Sequence, residues 1–165
     1  MLNFDFYNPT QVLFGQGQVA SLAKLVPAGA RVMMLYGGGS IRQNGVYDEV
    51  MAALAGHTVV EFGGIEPNPS YETLMRAIAQ VKAENIDFLL AVGGGSVIDG
   101  AKFVAAGALL DEDPWTIFDK RAANVTSALP FGTVLTLPAT GSEMNSGGVV
   151  TRKATQEKRS FMSRK

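Results

Sequence analysis

Two identical glycine-serine tetrapeptides each follow an apolar run of the chain: Gly37-Gly38-Gly39-Ser40, the first tetrapeptide, and Gly93-Gly94-Gly95-Ser96, the second tetrapeptide. Glycine lets an anion approach the backbone N–H groups closely, and a helix that begins there adds partial positive charge. The chemistry indicated is phosphate binding. A tight turn with a Ser96–Asp99 helix cap would explain one such segment equally well, but two copies favour binding. Neither has the G-x-G-x-x-G spacing or the Lys-Ser/Thr ending of a P-loop.

A third segment, residues 136–143, is rich in hydroxyl groups ("TLPATGSE") and also follows an apolar run. Hydroxyls, backbone N–H groups and glycine are groups that bind phosphate and ribose, although an ordinary Ser/Thr turn has the same composition. Lys102, which follows the second tetrapeptide, is interpreted as a structural or supporting residue.

The elements that must position these segments alternate along the chain. Continuous apolar runs predict buried strands, and apolar residues three and four positions apart predict helices. Asn68 is the predicted cap of the third helix, with Pro69 at its first position. Strands are predicted at 31–36, 58–62, 87–92 and 131–138, and helices at 18–26, at 46–55, from 69 onward and at 97–108.

This alternation predicts an α/β, Rossmann-like domain whose parallel sheet has helices on both faces. In open α/β sheets ligands bind beyond the carboxyl ends of the strands, where all three segments are expected. Residues 2–6 and 12–15 predict short strands that form a hairpin or an edge pair. A small β-hairpin is predicted from residue 148, with a strand at 148–152 and a second strand that has barely begun where the sequence ends.

The composition argues against several classes of function. The net charge is −1, with acids and bases interspersed, so no nucleic-acid partner is expected. Apolar runs fall short of the roughly 18 residues that span a bilayer, and the N-terminus lacks a signal-peptide pattern. No membrane partner and a cytoplasmic location are therefore expected. With no Cys and a single His, His57, no metal-ligating cluster is predicted.

The motifs "GGGSVIDGAK" and, about 40 residues later, "LPATGSEMN" resemble those of the iron-containing (group III) alcohol dehydrogenases. Within that family the chain is most similar to the bacterial NADPH-dependent aldehyde reductase and butanol dehydrogenase branch. "FYNPTQVLFGQG", "YGGGSIRQNGVYDEV" and "EFGGIEPNPSYETLM" fit the same branch, so the resemblance extends along the whole chain.

The resemblance implies that residues 1–165 are a dinucleotide-binding domain. It places the pyrophosphate on the second tetrapeptide, chiefly on Gly94, Gly95 and Ser96, with Gly93 preceding them, and it places Asp99 near the nicotinamide. Lys158 is implied to reach a cofactor ribose. The implied contacts with the adenine, ribose and phosphate side of the cofactor are made by Thr136, Thr140 and Asn145.

The first tetrapeptide is expected to set the choice of cofactor. NAD-preferring relatives have an acidic residue at the position of Gly38, where it binds the ribose 2′-OH. Here Gly37, Gly38, Gly39 and Ser40 present no negative charge, and nearby Arg42 offers a donor to a 2′-phosphate. The expected cofactor is therefore NADP(H).

The resemblance also implies a metal, Fe²⁺ or Zn²⁺, held by one Asp and three His of an all-helical C-terminal domain. We expect that domain to lie beyond these 165 residues, so we assign no metal ligand and no catalytic residue to this chain and expect it to be inactive alone. Family relatives are commonly homodimers, with N-terminal strands near the interface.

The activity expected of the two-domain enzyme is the metal-assisted reduction of an aldehyde by NADPH, or the reverse oxidation of an alcohol. Two alternatives are open. One is a non-catalytic NADP(H)-binding module. The other is an enzyme of related fold similar to dehydroquinate synthase, against which the "LPATGSE" segment and the first tetrapeptide argue.

Overall fold

The structure, a computed structural model, describes residues 3–5 and 7–165. Its centre is a four-stranded parallel sheet with the strand order β2-β1-β3-β4. All four predicted strands are present, because their runs of apolar residues suit strands that are covered on both faces. The strands are β1 (Arg31–Tyr36), β2 (Thr58–Phe62), β3 (Phe88–Gly94) and β4 (Phe131–Leu137).

Helices cover both faces of the sheet, as the sequence predicts. Alternate residues of one strand face opposite sides, so Met33 and Leu35 of β1 join one apolar cluster while Val32 and Met34 join the other. The helices are α1 (Leu22–Leu25), which follows a 3₁₀ turn (Gln18–Ser21), α2 (Ser40–Gln43), α3 (Val46–Ala53), α4 (Tyr71–Ala83), α5 (Gly95–Gly107) and α6 (Thr116–Asp119).

The direction in which the strands are added reverses between β1 and β3. From β1 the chain moves outward to β2, then returns to β3 on the other side of β1 and continues outward to β4. Ligands of open α/β sheets bind in the crevice at such a reversal, beyond the carboxyl ends of the strands. The first tetrapeptide directly follows β1, and the second includes the end of β3.

A two-stranded antiparallel hairpin packs beside the sheet. It consists of β5 (Gly147–Arg152) and β6 (Glu157–Met162). Phe161 of β6 is buried, with its ring centroid 6.0 Å from that of Phe103 on α5 and 5.7 Å from that of Phe118 on α6. The predicted hairpin is confirmed, but its second strand is six residues long rather than barely begun.

Two local predictions are wrong. Residues 11–14 have no regular secondary structure, and Phe14 is 96% exposed, so the predicted strand at 12–15 is not formed. The strand predicted at 2–6 includes Leu2 and Phe6, which lie outside the described residues. Helix α4 is capped by Ser70, whose hydroxyl accepts a hydrogen bond from the Thr73 N–H, and not by Asn68.

Among the helices of the described residues, none combines the length and the apolar character needed to cross a bilayer.

Candidate functional site

The second tetrapeptide passes from strand into helix without an intervening loop. Gly94 is extended (φ −91°, ψ −171°) and precedes the first turn of the 13-residue helix α5. Within the described part of the chain, no side chain caps this helix. The N–H groups of its first turn have no intrahelical partner and lie at the carboxyl end of β3. They form a site suited to an anion.

The Ser96–Asp99 cap, the alternative explanation of the second tetrapeptide, is not formed, because both side chains bond elsewhere. Ser96 Oγ accepts a hydrogen bond from the backbone N–H of Asn68 at 3.3 Å. Asp99 Oδ2 accepts one from the N–H of Val149 in β5 at 3.1 Å. The two side chains therefore fasten helix α5 to the segment before α4 and to the hairpin.

Two glycines of the second tetrapeptide are required by close packing. A Cβ atom on Gly95 would collide with Thr140 Oγ1 and lie 3.1 Å from Ser142 Oγ, and one on Gly93 would lie 2.7 Å from Val97 Cγ2. The hydroxyl-rich third segment thus packs directly on the first turn of α5. The two predicted phosphate-binding segments form one surface.

The first tetrapeptide is arranged differently. Gly37 O accepts a hydrogen bond from Gly64 N–H at 3.0 Å, which ties the segment to the chain after β2. Gly39 has φ 98° and precedes α2, a helix of only four residues. Gly38 is exposed, and no described atom lies within 4 Å of a Cβ built on it.

Arg42 is not the free donor that the sequence predicts, because its guanidinium forms an ion pair with the carboxylate of Glu61 in β2. Glu61 also accepts hydrogen bonds from the hydroxyls of Tyr47 at 2.6 Å and Tyr36 at 3.1 Å. The guanidinium lies 3.9 Å from the centroid of the Tyr47 ring. Hydrogen bonding to Tyr36 raises the pKa of Arg42 above its usual value, so the guanidinium stays charged.

The turn that follows the third segment is stabilised by Lys102. The side chain is buried, and its ammonium donates to Asn145 O at 2.8 Å, Asn145 Oδ1 at 3.0 Å and Gly147 O at 2.7 Å. Asn145 Nδ2 in turn donates to Gly141 O. Burial lowers the pKa of Lys102. Lys102 therefore holds the turn between the third segment and β5, the supporting role that the sequence indicates.

Lys158 reaches the second tetrapeptide through Asn68. Its ammonium donates to Asn68 Oδ1 at 2.7 Å, and the backbone N–H of Asn68 donates to Ser96 Oγ. Asn68 adopts φ 57°, a left-handed conformation that Asn tolerates better than most residues. The residue predicted as a helix cap is instead the link between the hairpin and α5.

The same hairpin is anchored by the carboxylate of Glu66. It accepts hydrogen bonds from the hydroxyls of Ser70 and Thr73, both at 2.9 Å, and from Lys153 Nζ at 2.7 Å. Burial opposes the charge on Glu66, but Lys153, the backbone and the two hydroxyls outweigh it and lower the pKa of Glu66 to about 2.

Two cavities adjoin the three segments. The smaller, of about 300 Å³, is bounded by residues of all three strand ends, and the larger, of about 660 Å³, lies between α5, the third segment and the hairpin. Predicted site residues line both. The smaller cavity is lined by Gly37, Gly39, Ser40, Gly93, Gly94 and Thr136, and the larger by Asp99, Thr140 and Asn145.

The remaining predicted residues do not line these cavities. Gly95 packs on Thr140, Ser96 and Lys158 meet at Asn68, and Gly38 is open to solvent. An uncapped helix N-terminus with hydroxyls beside it fits the pyrophosphate of a dinucleotide.

No group of three or more His, Cys, Asp or Glu residues within 3–5 and 7–165 is arranged to hold a metal ion. His57 lies just before β2, at the edge of the sheet opposite the tetrapeptides, with its Nε2 3.2 Å from Pro27 O.

Sequence reasoning missed Glu61 and the linking role of Asn68. One signal was a charged residue inside the apolar run "TVVEF", which needs a polar partner. The other was an Asn between two prolines, which is unlike a helix interior and typical of a fixed turn.

Comparison with known proteins gives a consistent family. The sequence profile described as iron-containing alcohol dehydrogenase matches residues 9–165. The chain is 54% identical over 165 residues to NADPH-dependent aldehyde reductase YqhD of Escherichia coli (strain K12), a match that covers 99% of this chain and 43% of that protein. It is 55% identical over 161 residues to probable NADH-dependent butanol dehydrogenase 1 of Bacillus subtilis (strain 168), with 96% and 41% covered. The chain thus spans less than half the length of these relatives.

Solved structures agree. The crystal structure of E. coli K-12 YqhD matches with a TM-score of 0.94 and 53% identity, over 98% of this chain and 42% of that one. NADH-dependent butanol dehydrogenase A of Thermotoga maritima matches with a TM-score of 0.91 and 44% identity, again over 98% and 42%. Neither the dehydroquinate synthase-like alternative nor the non-catalytic alternative is favoured by relatives with these names. The chain belongs to the iron-containing alcohol dehydrogenase family.

Proposed function

We propose that residues 1–165 form the NADP(H)-binding domain of a metal-dependent alcohol dehydrogenase or aldehyde reductase. The observation that carries the proposal is the meeting of three strand-end segments around the uncapped N-terminus of α5, at the reversal of strand order. The proposed cofactor contacts are those implied by the family resemblance: residues 37–40 and 93–96, with Asp99, Thr136, Thr140, Asn145 and Lys158.

The chain's own contribution is to bind and orient the cofactor. The first turn of α5 would hold the pyrophosphate, and the larger cavity beside Asp99 would receive the nicotinamide half. Lys158 is linked to Ser96 of the second tetrapeptide through Asn68, and it would release Asn68 to contact a ribose. When bound, the nicotinamide supplies the hydride for an aldehyde.

NADP(H) is proposed over NAD(H) because Gly38 leaves its position free of negative charge. Gly38→Asp should weaken NADPH binding about tenfold, since a carboxylate would oppose the 2′-phosphate, and should leave NADH binding equal or tighter. Titrations that follow nicotinamide fluorescence measure both affinities. Equal weakening of NADPH and NADH would contradict the proposed preference.

The binding function itself is tested by titrating this chain with NADPH. A saturable rise in nicotinamide fluorescence that is lost in the Gly95→Ala variant is expected, because that substitution disturbs the junction of α5 with the third segment. Absence of binding by a folded chain would overturn the proposal. Addition of Fe²⁺ or Zn²⁺ to this chain should yield no butanal reduction, and measurable turnover would show that it contains a catalytic site.

Homodimer formation is proposed from the N-terminal segment. Phe4, Tyr7 and Phe14 are 87%, 84% and 96% exposed, an unusual exposure for three aromatic side chains close together in sequence. Light scattering should give twice the chain mass, and Phe14→Ser should lower it. If the unsubstituted chain is monomeric at all concentrations, the proposed homodimer is contradicted. We also propose a cytoplasmic location, the one expected from the sequence.

A further inference from the structure

We propose that Glu61 is a specificity-determining residue that weakens the preference of the site for a 2′-phosphorylated nucleotide by neutralising Arg42. The inference rests on the proposed binding of NADP(H). It addresses a feature of the relatives, because proteins equally similar to this chain are named NADPH-dependent and NADH-dependent. A free Arg42 beside the first tetrapeptide would favour the phosphorylated cofactor strongly, whereas a paired Arg42 would not.

The ion pair is adjacent to the proposed 2′-phosphate position. Tyr36 is the last residue of β1 and directly precedes the first tetrapeptide, and its hydroxyl contacts both Arg42 and Glu61. Arg42 is two residues past Ser40 within α2. The pair therefore stands at the carboxyl end of β1 and β2, with the guanidinium side chain 46% exposed and the carboxylate side chain 31% exposed.

The charges of this pair cancel. Arg42 contributes +1 and Glu61 contributes −1, so the group offers no net charge to a phosphate monoester that carries roughly −1.5 to −2 at neutral pH. A 2′-phosphate must share the guanidinium with the carboxylate. A 2′-hydroxyl faces no such competition, because it can donate to Glu61.

Glu61 is held in place independently of Arg42. The Tyr47 hydroxyl donates to Oε1 and the Tyr36 hydroxyl donates to Oε2. Glu61→Gln keeps the side-chain volume and one carbonyl oxygen as an acceptor, and it removes the charge and the second acceptor oxygen. It is therefore a substitution that changes the electrostatics and preserves most of the packing.

The test compares adenosine 2′,5′-bisphosphate with 5′-AMP by calorimetry, since these probes differ in the 2′-phosphate and lack the nicotinamide. Glu61→Gln should tighten binding of the bisphosphate about fivefold, the scale of one exposed charge pair, and leave 5′-AMP unchanged or weaker. Arg42→Met should weaken the bisphosphate by a similar factor. The gain in Glu61→Gln should shrink in high salt, because it is electrostatic.

Glu84→Gln is the matched control. Glu84 pairs with Arg31, the first residue of β1, at the opposite end of the same strand, so this variant has the same net charge as Glu61→Gln. It should leave both affinities unchanged. An unchanged affinity ratio in a folded Glu61→Gln variant, or an equal change in Glu84→Gln, would overturn the inference alone. Failure of the parent chain to bind either probe or NADPH would overturn the proposed function as well.

Discussion

The two tetrapeptides have the same four residues but leave their strands in different ways. In the first, Gly39 turns left-handed and starts a helix of four residues. In the second, Gly93 and Gly94 continue the strand, and a helix of 13 residues begins at once. A Cβ on Gly38 would meet open space, whereas one on Gly95 would strike the third segment.

Glycine therefore serves two purposes in one sequence motif. In the first tetrapeptide it supplies a backbone conformation and an open surface, which suits recognition of a variable group. In the second it allows elements to pack closely around a helix N-terminus, which suits a fixed phosphate. The neighbours of each segment, and not its own residues, set this difference.

The largest expected effect is the loss of stability in Gly95→Ala. The added methyl group overpacks a junction already filled by Thr140 and Ser142, and should lower the free energy of unfolding by about 2 kcal/mol. Gly38→Ala, the matched change in the first tetrapeptide, should alter it by less than about 0.5 kcal/mol. Urea unfolding measures the free energy of unfolding of both variants. Equal losses of stability would contradict the proposed difference between the two tetrapeptides.

The second-largest loss of stability is expected at low pH, from protonation of the Glu66 carboxylate that anchors the hairpin beside the second tetrapeptide. The folded-state pKa of Glu66 is lowered to about 2 from its usual 4.5, so its stabilisation is present above pH 4.5 and is lost as the pH falls toward 2. The loss should be about 1 to 2 kcal/mol after allowance for partial exposure. Thermal unfolding of Glu66→Gln should show less pH dependence in this window. A slope identical to that of the parent would refute the assignment.

A smaller loss of stability is expected for a substitution that strains the backbone without causing a steric clash. Gly39→Ala must place a side chain at φ 98° with no described atom within 4 Å of its Cβ, and should cost about 1 kcal/mol. Gly39→Asn should cost less, because Asn tolerates positive φ better than Ala. If Asn proves worse than Ala, backbone strain is not the reason for glycine here.

The smallest effect is expected for Ser96→Ala. Ser96 does not cap α5 and accepts a single hydrogen bond of 3.3 Å, so its removal should change stability by less than about 0.5 kcal/mol. Ser70→Ala removes the true cap of α4 and should cost about 1 kcal/mol. Denaturant midpoints of the two variants measure which loses more stability. A larger loss in Ser96→Ala than in Ser70→Ala would show that Ser96 is a functional cap.

The sheet could be predicted from the sequence because its strands are continuous apolar runs, and burial on both faces leaves few other ways to place residues such as Val32 and Met33. The strand-end position of the tetrapeptides followed from the same pattern. Local periodicity determines these features, since neighbours in sequence are also neighbours in the element.

Polar partners far apart in sequence could not be predicted in this way. Arg42 in α2 appeared to be a free donor because its partner Glu61 lies 19 residues away on strand β2. Asn68 resembled a cap because its contacts, Ser96 and Lys158, come from α5 and the hairpin. Such contacts depend on how the elements pack.

The most direct test of the central claim, that the first turn of α5 binds the cofactor phosphates, is a titration of ¹⁵N-labelled chain with NADP⁺ followed by backbone amide chemical shifts. The largest shifts should occur at Gly95, Ser96 and Val97, with further shifts in the first tetrapeptide. No shift should occur at Gly29, which precedes β1 at the amino-terminal end of the parallel strands. Saturable binding that leaves the amides of residues 95–97 unshifted would contradict the claim.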